Sequence, residues 1–214
     1  GINWFFEFAA FTLFINVIVA DLGTTVLAAM MAVMAINSVS FMPAFGISSS
    51  GAILVGQAIG SGNSDRVPGI VRRTASVTMV WQGVVSLVYL AIPGVLMTLF
   101  ATSGEQSDKL LAVGTALLMI SVAWQLFDAV GMSVGEALRA AGDTAWPMWA
   151  RLCIAWFVFM PAGYLSVTVY GGGHVAAMLC VVGYLALLSG FLGYRFMSGA
   201  WRKIDLTGDG VPGH

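Results

Sequence analysis

From Thr24 to Gly60 the chain carries no Asp, Glu, Lys, Arg or His. A soluble domain has no use for so long an uncharged run, whereas a bilayer core is crossed by about 20 apolar residues of helix. Inside lipid every backbone amide and carbonyl must be satisfied within the segment, which leaves the helix as the form for such a run. The rest of the chain repeats the pattern. Apolar segments run approximately 2–20, 24–60, 67–100, 106–141, 145–169 and 174–198, parted by "DLGTT", "GSGNSDRVPG", "ATSGEQSD", "AGDTAWP" and "YGGGH". The expected fold is all-α: a polytopic membrane protein whose residues 1–214 form one six-helix transmembrane bundle. The second, third and fourth segments exceed a minimal span, so they must tilt, protrude or kink. Pro43 with Gly46, and Pro93 with Gly94, are the expected kinks. "DLGTT" reads as a tight turn with a threonine helix cap.

Composition agrees. Hydrophobic residues make up 59% and charged residues 9% of the chain, against about one quarter charged in soluble domains. Little length remains for an extramembrane domain, and a net charge of -1 speaks against a nucleic-acid partner, which calls for a basic patch. The chain enters an apolar helix at once from Gly1, without a charged leader, and reads as a piece of something longer. Cys153 and Cys180 fall in apolar spans at different depths and read as packing residues.

Lys and Arg set the orientation. Numbering the membrane sides alternately, one side gathers Arg66, Arg72, Arg73, Arg139, Arg195, Arg202 and Lys203, and the other holds Lys109. The basic side is the cytoplasmic one, so both ends of the chain are expected there. Trp4, Trp146, Trp149 and Trp201 fall where a cytoplasmic aromatic belt would sit.

Two carboxylates do not fit a lipid-facing helix. Asp128 stands eleven residues before Arg139, roughly 16 Å of helix from the cytoplasmic boundary. Glu7 stands fourteen residues before Asp21, roughly 21 Å from the outer one. In a hydrocarbon core about 30 Å thick they come within roughly 7 Å of each other in height. Ionisable groups at that depth are costly and mark ion pathways or proton relays. Glu7 and Asp128 are therefore expected to share a site for Na+ or H+, in preference to being two protonated acids bonded within the bundle. Asp21, Asp65, Glu105, Asp108, Asp143, Asp205 and Asp209 lie in loops or the tail and read as solvated or capping charges. Glu136 reads as the local partner of Arg139, and Arg151 as a side chain snorkelling to the cytoplasmic interface.

Asn16, Asn37, Trp124 and Gln125 are the expected lining of a central cavity, with Gln57, Gln82, Trp81 and Trp156 as further polar or flat surfaces at depth. No cofactor is expected beyond the coupling ion.

Four stretches, "AILVGQAIGSGNSDR" (52–66), "ALRAAGDTAWPMW" (137–149), "MPAGY" (160–164) and "YRFMSGAWRKIDL" (194–206), resemble in order and spacing the carboxy-terminal half of multidrug and toxic compound extrusion (MATE) transporters of the NorM-like branch. The resemblance implies helices seven to twelve of a twelve-helix protein. It also implies an amino-terminal six-helix half in the same polypeptide as partner, and residence in the plasma (inner) membrane. The activity implied is secondary active efflux of small-molecule drugs, above all organic cations, in exchange for Na+ or H+. In that branch a helix-seven Glu and a helix-ten Asp form the cation site, and Glu7 and Asp128 occupy those places. Trp124 stands where some members carry a Tyr near the ion, and offers a cation-π face but no oxygen ligand. "LRA" replaces the usual "LRG".

Two other functions stand beside this one. A lipid-linked flippase of the same wider superfamily would share the fold and differ in substrate. An intramembrane protease would need "SSSG" (48–51) as nucleophile loop and His174 as base. These fall near opposite membrane faces, too far apart for proton transfer at about 3 Å, so the expected protein is not an enzyme.

Overall fold

The computed structural model describes residues 2–101 and 104–204, and for residues 2–4, 6, 7 and 105 it describes the backbone alone. It is a bundle of seven helices among the described residues: α1 (2–22), α2 (Thr24–Gly60), α3 (Val67–Ala91), α4 (Pro93–Thr98), α5 (Glu105–Ala140), α6 (Ala145–Val169) and α7 (Gly173–Met197). Five of these are long and apolar enough to cross a membrane; α1 contributes a shorter apolar stretch, Phe8–Leu22. The protein is an all-α polytopic membrane protein.

Local chemistry accounts for the irregular elements. α1 widens into a π-helix over Phe14–Val19, where the Asn16 side-chain amide donates to the Thr12 carbonyl at 2.9 Å and competes with the backbone ladder. α6 has π-helical turns at Ile154–Phe159 and Leu165–Val169 around Pro161, which lacks the amide that an α-helix needs. α1 and α2 meet at Gly23, whose φ of 111° suits glycine. This glycine, with no side-chain cap bond, starts α2 in place of the expected threonine cap.

The expected third segment is two helices. Ile92 leaves the helical region at φ -134° and ψ 44°, as a residue before proline tends to do, and α4 starts at Pro93. At Pro43, by contrast, α2 continues as one helix.

α5 is the central element and packs against α2, α3, α4 and α7. Residues 131–138 are buried without interruption, so this stretch of α5 is enclosed on all sides. Small residues permit the close approaches. A Cβ on Gly51 of α2 would stand 2.8 Å from the Thr74 Cβ of α3, and one on Gly131 would stand 3.3 Å from the Ser189 Cβ of α7. Gly163 in α6 admits the Phe14 ring in the same way. Phe14 meets Phe159 at 4.6 Å between ring centres, and Phe159 meets Tyr184 at 5.2 Å, joining α1, α6 and α7.

Polar contacts close both ends of the bundle. At one end Arg195 donates to Asp143 at 2.7 Å and lies over the Trp146 ring at 5.4 Å. At the other, the Gln106 amide donates to Thr25 at 3.1 Å. Three surface expectations change accordingly. Asp143 is buried and ion-paired rather than solvated. Trp201 is buried, stacked on Phe196 at 5.7 Å, rather than part of an interfacial belt. Cys153 faces outward rather than into the core.

Candidate ion and substrate site

Three helices meet in a buried polar chain. The Gln125 amide on α5 donates to the Asn37 side-chain carbonyl on α2 at 2.5 Å and lies 3.4 Å from the Ser40 hydroxyl. Asn37 in turn donates to Ser121 at 3.3 Å, and Ser86 on α3 donates to the Gln125 carbonyl at 3.3 Å. All five side chains are buried. Both amides have their donors and acceptors met, which is the condition for keeping such groups inside a membrane bundle. Further along, the hydroxyls of Ser48, Thr78 and Ser133 join the same helices at 3.2 to 3.5 Å. The serines and threonine give no sequence signal, because hydroxyl residues are ordinary in membrane helices.

Gln82 breaks the pattern. It is 2% exposed, and its side-chain oxygen has no hydrogen-bond partner among the described residues. Gln82 is one of the residues that line a cavity of about 150 Å³, with Asn37, Ser40, Trp124, Gln125 and Asp128. A cavity lined by a carboxylate, a hydroxyl and side-chain amides suits a cation bound through oxygen.

Asp128 borders that cavity and two more. One, of about 670 Å³, is walled largely by Phe8, Phe11, Asn16, Met31, Trp124 and Tyr184. The other, of about 120 Å³, contains Glu136 and Arg151. The structure thus brings together Asp128 and all four expected cavity residues: Asn16 and Trp124 on the large cavity, Asn37, Trp124 and Gln125 on the polar one. The side chain of Glu7 lies outside the described residues, while its backbone is on α1, the helix that supplies one wall of the large cavity. Glu136 pairs with Arg139, as its spacing suggested. Arg151, half-buried, lines the same cavity as Asp128. Nothing in the sequence signals this, because the cavity is built by residues of α2, α5 and α7.

Comparison with known proteins agrees with this architecture. The family model described as MatE matches residues 5–165. The chain is 28% identical over 168 residues to a protein named "Probable multidrug resistance protein NorM" from Thermotoga maritima, covering 78% of this chain and 35% of that one. Proteins of the same name from Deinococcus radiodurans and Caulobacter vibrioides are 29% and 26% identical, over 86% and 94% of this chain and 42% of each relative. The chain spans less than half the length of these curated relatives.

Proposed function

Because the chain belongs to the MatE family, we propose that it forms one bundle of a secondary active transporter that exports drugs, principally organic cations, in exchange for Na+ or H+. The observation that carries the reading is the position of Asp128, a carboxylate on a central helix that borders three cavities. In this reading the wide cavity, aromatic and apolar with Asp128 at its edge, receives the drug. The polar cavity supplies neutral oxygens, Gln82 among them, to the coupling cation beside the same carboxylate. Glu7 on α1 is the second carboxylate of the coupling site. An amino-terminal six-helix half supplies the facing wall, since alternating access rocks one bundle against another around a midplane site. Both ends of the described chain face the cytoplasm of an inner membrane.

Coupling follows from shared charge. Asp128 can be neutralised by a cationic drug or by the coupling ion, and each shifts the conformational equilibrium only through its different affinity for the two states. In the intact transporter reconstituted in proteoliposomes, Asp128→Asn should abolish efflux driven by an imposed Na+ or H+ gradient while the protein still folds. Glu7→Gln should do the same, and the double variant should be little worse than either, because residues acting as a unit are not additive. Near-normal gradient-driven export by Asp128→Asn would sink the reading.

A further inference from the structure

The cavity of about 120 Å³ between α2, α5, α6 and α7 holds two carboxylates and a guanidinium: Asp128, Glu136 and Arg151. Phe41 and Phe45, whose rings stack at 5.9 Å, form its apolar side. Glu136 is already paired with Arg139, whose side chain is 54% exposed. With Glu136 met by Arg139, Asp128 and Arg151 are the other opposite charges that line the cavity. A further cation entering beside Asp128 would leave an uncompensated positive charge in a low-dielectric interior, which is strongly unfavourable unless another cation withdraws.

Arg151 has room to be that cation. α5 presents glycine at position 135, seven residues and about 10 Å of helix beyond Asp128, and Glu136 follows directly. The Arg151 Nη2 lies 3.3 Å from where a Gly135 Cβ would be. The guanidinium is carried there on a long, flexible stem, beside the Leu192 side chain at 3.5 Å from the same point, and that stem lets its head reach different points along α5.

We propose that Arg151 is a tethered competitor of the coupling ion. It neutralises Asp128 when the ion is absent, and it retires over Gly135 toward Glu136 when the ion arrives. The proposal rests on Asp128 being the coupling carboxylate, and it adds a positioning residue that ejects the ion as well as a seat that receives it. Ion release then needs no bare carboxylate in the membrane, because the tethered cation replaces the departing one.

The test uses the intact transporter in proteoliposomes, with ethidium efflux measured over a series of Na+ concentrations at fixed pH and over a series of pH values without Na+. Arg151→Gln removes the competitor, so the ion concentration at half-maximal rate should fall about tenfold, within the usual range of coupling energies, while the maximal rate drops because release loses its displacing group. Arg151→Lys keeps a cation and should stay near wild type in half-maximal concentration. Gly135→Ala places a methyl group on the seat and should act in the opposite sense, raising the half-maximal concentration. In an Arg151→Gln background it should have no effect. A merely structural Arg151 predicts lower yield with unchanged half-maximal concentration, and that result overturns the proposal. Should Arg151→Gln fail to fold, the sign for Gly135→Ala decides: a rise supports the tethered cation, and no change or a fall refutes it. Gradient-driven export by Asp128→Asn would instead overturn the underlying reading.

Discussion

Asn37 and Gln125 are the residues on which the buried polar chain depends, since each offers the other a donor or an acceptor that lipid cannot. Asn37→Ala leaves the Gln125 amide only the longer contact to the Ser40 hydroxyl, and a buried group deprived of its main partner costs about 1–3 kcal/mol. The variant should melt at a lower temperature in detergent than wild type, whereas replacing Asn37 and Gln125 together by leucine should recover part of the loss. The amides were legible in the sequence by their depth alone. Their partnership was not, because depth says nothing of which way a side chain faces. Asp128 was legible for the same reason, as a charge too far from either boundary to be solvated. The place of Arg151 on a cavity was not legible, because its stem is long enough to reach either water or the interior and the cavity is built by three other helices.

At the scale of elements, the sequence located the ends of α2, α5 and α7 to within a residue, because turn residues punctuate long apolar runs there. The kink expected at Pro93 is a full break at Ile92 that parts α3 from α4, and at α1 and α6 nothing in the sequence gives warning, since hydropathy carries no trace of a widened hydrogen-bond ladder. Packing between α2 and α3 turns on Gly51. Alanine there would place a methyl carbon against the β-branched Thr74, which has no rotamer that clears its own Cβ. Such overpacking costs about 1–3 kcal/mol. Gly51→Ala should therefore lower the melting temperature in detergent, while Gly56→Ala, on the same helix with open space around it, should leave it unchanged or raise it.

Over the whole molecule, the alternation of short connections and long apolar runs was enough to give the all-α membrane architecture, and the ion pair between Asp143 and Arg195 places the 139–146 loop and the end of α7 together, as that alternation requires. What the pattern could not supply is the relation of the first helix to the rest. The π-helical turns of Phe14–Val19 house one residue more than an α-helix with the same axial rise would hold. Val17 sits there with its side chain outward. Deleting Val17 should let the ladder close to ordinary α-helix and leave both flanks facing as they do now. Deleting the equally outward Ile53 from the regular α2 would turn one half of that helix by about 100° against the other, carrying the amides of the polar chain to the wrong face. Size-exclusion profiles of the intact transporter should show a single folded peak for the first deletion and aggregation for the second: within one bundle, the wide turn tolerates a lost residue and the regular helix does not.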